Sequence, residues 1–322
     1  MHHHLPKDIT AALDDLSAPR LLSYRVFFAN PSDEELYGIY CWNEAISMRL
    51  MRLIGNIEIV LRNRFHRELS RFTYTPGTSA GTQESNDWYR FVIKPGTKAA
   101  NLVTKHTTGG SLVSTTPCHY VVAQMTYGFW PRLLQIRKTN AGALIPWNTM
   151  IPAMFPDHHK KANTYWASQH EQDKLFMRLD LIGDLRNRVA HFEPVWKFGE
   201  LKDEWIQRAH NPVSVVASAP SNPAEAIARL RLVYTRTTQL LSWLSKSRAR
   251  DYMESENHIN LDWLLSHEGF DHFRNIGKVQ TVRLGSLTKS WGMKLELQGF
   301  KSVLVEHKQQ PIGRYFSLQS KP

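Results

Sequence analysis

The 322-residue sequence holds only two cysteines, Cys41 and Cys118. Two thiols build neither a disulfide framework nor a four-thiolate zinc site, so they read as buried thiols in a reducing compartment. No uninterrupted apolar run approaches the roughly 18–20 residues needed to cross a bilayer. The opening MHHHLPKDIT lacks the apolar stretch of a secretory signal. A soluble, cytoplasmic protein without a membrane partner is the expectation. Acidic residues are also scarce: 29 Asp and Glu stand against 40 Lys and Arg, giving a net charge of +11 and a pI near 9.6. That surplus favours a polyanionic partner such as RNA or DNA. Internal repeats and low-complexity tracts are missing as well. What is present is core material: a hydrophobic fraction of 42%, with 11% aromatics, excludes a mostly disordered chain.

Helical periodicity dominates the first 265 residues. From 43 to 70, Ile46, Leu50, Leu53, Ile57, Leu61 and Phe65 recur every three or four positions, which makes one apolar stripe, with Asn43 as its N-cap. A loop rich in Gly, Ser and Thr follows, and residues 90 to 114 carry no firm pattern. In STTPCHYVVAQMTYGFW, Thr116 is placed to cap a helix and Pro117 to occupy its first position. A third helical stretch runs from about 157 to 191, with Leu175, Leu179, Ile182 and Val189 on one side and Pro194 ending it. Residues 211 to 223 are linker-like. A fourth helix then opens on Asn222 and Pro223 and carries Leu230, Val233, Leu240 and Leu244.

The pattern changes after about residue 270. KVQTVRLG, WGMKLELQG and KSVLVEHKQQ read as short strands separated by turns. Residues 271 to 322 hold nine Lys and Arg against three Asp and Glu, so net +6 of the charge lies there. The chain therefore reads as mainly α over 1–265, followed by a small basic β-containing segment over 266–322. Arg274, Lys278 and Arg283 are candidate RNA contacts in that segment. Alternatively, these strands cover the bundle and their cations are merely solvated.

The chemistry concentrates in DLRNRVAHFEPVW, residues 184 to 196. Asn187 and His191, four apart, share a helix face, whereas Arg186 and His191, five apart, lie roughly 140° from each other. They converge only if the helix loosens near His191, which Pro194 favours. Histidine exchanges protons near neutral pH, and the arginine fork holds phosphate oxygens. Asparagine orients either a phosphate oxygen or the imidazole. RNA supplies its own 2′-hydroxyl nucleophile, so such a set cleaves it without a metal or cofactor. Cations at a helix C-terminus are also ordinary. Spacing alone does not decide.

Other clusters carry less. Glu58, Arg62 and His66 form one polar stripe that an i,i+4 salt bridge on a solvated face would explain. In DHHKK, residues 157 to 161, adjacent histidines point to different faces and no carboxylate or cysteine pattern completes a metal site. Tyr127, Phe129 and Trp130 could stack bases, but such clusters are more often core.

Resemblance changes the balance. LRNRVAH resembles the arginine–four residues–histidine motif of the HEPN superfamily, with asparagine following the arginine. IGNIEIVLRNRF, MTYGFWPRLL and LIGDLRNRVAHFEPVW resemble, in that order, segments of its Abi-like (abortive infection) branch. The resemblance implies a helical bundle and a metal-independent endoribonuclease without a cofactor. It implies Arg186 as the phosphate-stabilising residue, Asn187 as the orienting residue and His191 as the general acid or base. Glu58, Arg62 and Asn63 match the first segment and would buttress that site, while His66 lies too near Arg62 to make a second centre. A homodimer pairing two motifs in one cleft is implied, along with a toxin or antiphage role, an antitoxin and a cognate structured small RNA. The alternative is a bundle that binds RNA or protein without turnover.

Overall fold

The computed structural model describes residues 5–204 and 214–278, together with the backbone of two later strands. Two compact units divide the chain, Met1–Gly277 and Lys278–Pro322. The first begins with α1 (Ile9–Asp15), α2 (Ala18–Phe27) and the 41-residue α3 (Asp33–Thr73). Short helices follow: α4 (Tyr89–Val92), α5 (Lys98–Thr104), α6 (Cys118–Ala123), α7 (Phe129–Leu133), α8 (Trp147–Met154) and α9 (Asn163–Trp166). After α10 (Gln169–Ala190), β1 (Leu201–Lys202) pairs antiparallel with β2 (Val215–Ala217). The unit closes with α11 (Pro223–Leu244), α12 (Lys246–Met253), α13 (Glu256–Leu264) and α14 (His267–Arg274).

The architecture is mainly α, as the periodicity predicts. All six apolar residues expected on the stripe of α3 are buried at 2% exposure or less. Around that stripe pack α1, α2, α7, α8, α10, α11, α13 and α14. The helix starts ten residues earlier than its sequence pattern indicates, because Ser32 and Glu35 form a reciprocal capping box. Ser32 Oγ accepts from Glu35 N at 3.3 Å, and Glu35 Oε2 accepts from Ser32 N at 3.1 Å. Asn43 is no cap. It is buried in mid-helix, and its Oδ1 accepts the Val195 backbone N–H at 2.8 Å.

Other boundaries moved for local reasons. Pro117 occupies the N-cap of α6, and Thr116 instead accepts the Thr108 backbone N–H at 2.8 Å. The stretch from 157 to 191 breaks into α9 and α10. Asn222 and Pro223 open α11 as expected, with Asn222 Oδ1 accepting from Glu225 N at 3.0 Å. Tyr127, Phe129 and Trp130 are buried. They are core.

The helical unit runs past residue 265. At Gly38 a Cβ would stand 1.9 Å from the Phe273 carbonyl oxygen, so α14 approaches the backbone of α3 where no side chain intervenes. In the second unit, β3 (Ser302–His307) pairs antiparallel with β4 (Gln310–Phe316), with Ser302 opposite Phe316. This matches the third predicted strand. KVQTVRLG after Lys278 and WGMKLELQG lie outside the described residues.

Candidate active site

The site is built on the end of α10. Leu175, Leu179, Ile182, Leu185 and Val189 bury one side of this helix against the core. At about 100° per residue, Asp180, Asp184, Asn187 and His191 fall on a single stripe away from that side. Asn187 and His191 are both exposed. Arg186 lies about 100° around the helix from Asn187 and is half-buried. Its Nε is shielded from solvent and bonds to nothing among the described residues.

The helix ends in a Schellman turn rather than at Pro194. His191 N donates to Asn187 O at 3.0 Å, Phe192 N to Val189 O at 3.3 Å, and Glu193 N to Arg188 O at 2.8 Å. That turn needs a left-handed residue after the cap, and Phe192 fills it at φ 55° where glycine is usual. Helical geometry thus persists to Ala190, so the loosening that would turn His191 toward Arg186 is absent. Among the described residues, no hydrogen bond joins the side chains of Arg186, Asn187 and His191. One chain leaves Arg186 off the face that Asn187 and His191 share.

Three contacts hold the turn in place, two of them long-range. Arg20 Nη1 of α2 donates to the Phe192 carbonyl at 2.7 Å. Arg188 Nη1 donates to the Lys197 carbonyl at 2.6 Å. Trp196 is buried against the rings of Tyr24, Phe27 and Phe28 at 5.1, 4.5 and 5.0 Å. With Asn43 accepting from Val195, these contacts tie the motif to α2 and α3. Sequence reading missed Arg20 and Arg188 and gave Asn43 a capping role, because their partners are backbone groups that no local side-chain pattern marks. The Asn43→Ala variant should lose on the order of 1–2 kcal/mol, since the buried Val195 N–H would be left without an acceptor. Urea unfolding checks this, and an unchanged midpoint would show that the bond contributes nothing.

The three segments quoted from the sequence meet in space. Tyr127, fully buried, donates from its hydroxyl to the Leu179 carbonyl at 3.1 Å. Its ring packs against Gly183 of α10, one turn before Asn187, where a Cβ would be 3.4 Å away. Burial, with the Glu58 and Asp180 carboxylates nearby, pushes the Tyr127 phenol well up and keeps it a donor. Phe65 of α3 stands 6.2 Å from the Trp130 ring of α7. Burial and the neighbouring Asp180 also push the Asp184 carboxyl up.

The supporting residues are placed less directly. Glu58 is half-buried beside Tyr127, Arg62 Nη1 donates to the Ala123 carbonyl of α6 at 3.3 Å, and Asn63 is exposed. None of the three bonds to Arg186, Asn187 or His191 among the described residues. No Glu58–Arg62 ion pair forms among them either. His66 leaves the stripe: its Nδ1 accepts from Trp88 Nε1 at 2.9 Å, which leaves Nε2 to donate to Ser85 Oγ at 2.9 Å. Burial pushes its imidazole down to about 4, with His119 and Arg62 adding to the effect. It is a structural neutral histidine. His158 accepts the Lys160 backbone N–H at 3.0 Å and packs on Trp166 and Trp243.

Of the C-terminal RNA candidates, Arg274 pairs with Glu35 at 3.0 Å and so belongs to the helical unit. Lys278 is exposed, and Arg283 lies outside the described residues.

Residues 19–197, which hold every element of this site, match the family model for Abi-like proteins. The chain belongs to the Abi-like family. No curated protein and no solved structure matches it. Abi-like membership points to abortive-infection defence, and the matched span closes at Lys197, just past the turn that carries His191. Among the described residues, no helix of this Abi-like chain is long and apolar enough to cross a membrane.

Proposed function

We propose that this Abi-like protein is a metal-independent endoribonuclease of the HEPN type, acting as a toxin in abortive infection. The observation that carries this reading is the end of α10. Exposed Asn187 and His191 stand side by side there, and the Arg186 Nε is a shielded donor still without an acceptor. An unpaired buried donor is costly, and a turn of the half-buried side chain would let the guanidinium fork take phosphate oxygens instead. In the reaction, a base takes the proton of the 2′-hydroxyl and the 2′-oxygen attacks phosphorus. The bond to the 5′-oxygen breaks, and that oxygen takes up a proton. The products are a 2′,3′-cyclic phosphate and a 5′-hydroxyl. Arginine neutralises the charge on the equatorial oxygens, and His191 moves one of the two protons.

The second proton-transfer group comes from a second copy. On the α3 side of the α10 end, Met48, Met51, Val189 and Phe192 line a pocket of about 450 Å³. Met48 is 73% exposed and Phe192 68%. Bare apolar groups near a polar motif are the usual core of an interface, and one that includes Phe192 would bring the two α10 ends close together. A cognate small RNA or an antitoxin would hold the toxin inactive.

Incubation of the purified protein with RNA in EDTA tests the reading. Cleavage should persist, the products should carry 2′,3′-cyclic ends, and sedimentation should show a dimer that Met48→Glu weakens together with activity. RNA bound but left uncut would favour the non-catalytic module. A fully active monomer would remove the paired site.

A further inference from the structure

A second feature of the helical unit is joined to the same α10 stripe by one ion pair. The α4–α5 connection and α7 with its following turn border a groove of about 1030 Å³. Its charged lining residues are Lys94, Lys98, Arg132 and Lys138, and no Asp or Glu lines it. Leu102, 44% exposed, and Phe129 contribute to an apolar wall. The volume is at the upper end of the roughly 300–1,000 Å³ typical of small-ligand sites. That suits a short stretch of polymer better than one small molecule. The three lysines are exposed and form no ion pairs among the described residues. Arg132 alone is engaged, donating to Asp180 Oδ1 at 3.1 Å.

That pair gives the groove its position relative to the motif. Asp180 shares the stripe with Asn187 and His191 and lies seven positions before Asn187, about 10 Å along the axis. A chain leaving the groove past Arg132 would meet this stripe of α10. We propose that the groove holds the single-stranded RNA flanking the scissile phosphate, with phosphates on Lys94, Lys98 and Lys138 and a base face against the Leu102 wall. An acidic peptide would satisfy the cations but would not need a groove joined to the motif's helix through Arg132 and Asp180. The assignment rests on RNA being the substrate.

The test uses the full chain and a short fluorescein-labelled 2′-O-methyl RNA, which lacks the attacking hydroxyl and so reports binding without turnover. The variant carries Lys94→Gln, Lys98→Gln and Lys138→Gln together. A control carries Lys246→Gln, Arg248→Gln and Arg250→Gln on α12, none of which lines the groove. Circular dichroism confirms that both remain folded. The groove variant should bind at least about tenfold more weakly at low salt. Three lost single-strand phosphate contacts should also flatten the salt dependence of log Kd by about 2. The control should match wild type. Unchanged affinity and slope, equal losses in both variants, or no binding by wild type would each overturn the proposal. If binding maps to the groove while unmodified RNA stays intact, the groove stands as an RNA-binding site, and both the ribonuclease reading and the placement beside a scissile phosphate fall.

Discussion

His191→Ala and Arg186→Ala should each reduce RNA cleavage at least about 100-fold, the loss expected for a general acid–base group or a transition-state charge clamp. Both variants should remain folded. His191 is exposed, and its part in the Schellman turn is a backbone N–H that alanine retains. Arg186 has a shielded Nε without a partner, so its removal breaks no hydrogen bond there and relieves an unsatisfied donor. Thermal unfolding should therefore be unchanged or slightly raised in Arg186→Ala. Arg186→Lys separates charge from geometry: lysine keeps the charge but loses the planar fork, so activity should recover only in part. The measurements are cleavage rates in EDTA and growth arrest at matched expression. Either alanine variant keeping wild-type activity would remove that residue from the site.

The second large effect is on the fold. Gly38→Ala should destabilise the protein by about 3 kcal/mol, the upper end of the cost of overpacking. In an open helix the same substitution stabilises by up to about 1 kcal/mol, because alanine is the better helix former. Here the sign reverses. The new Cβ would meet the Phe273 carbonyl 1.9 Å away, and a backbone atom yields only if α14 moves off α3. Phe270 and Phe273 are buried in that contact, and Arg274 pairs with Glu35 across it. Denaturant unfolding reads the change directly. A stability equal to or above wild type would mean that α14 is not held against α3 in solution.

The sequence by itself determined whatever depends on neighbours within a few turns. The α3 stripe from Ile46 to Phe65, the Asn222–Pro223 opening of α11 and the buried Tyr127, Phe129 and Trp130 all follow from spacing, capping and burial preference. So does the pairing of Asn187 and His191 on one face, since helix geometry needs no tertiary partner. Only the tertiary structure decided the rest. Asn43 looks like a cap until Val195, 152 residues away, is seen donating to it. Phe192 is an unremarkable aromatic until the chain, held by Arg20 and Trp196, places it at positive φ and leaves Arg186 off the His191 face. Lys94, Lys98 and Lys138 share no local pattern, and a cation-lined groove exists only because α7 and the turn after it lie beside the α4–α5 connection. The physical reason is one of range. Periodicity and caps act through bonds a few residues long, whereas these features depend on which distant backbone groups each element meets once packed.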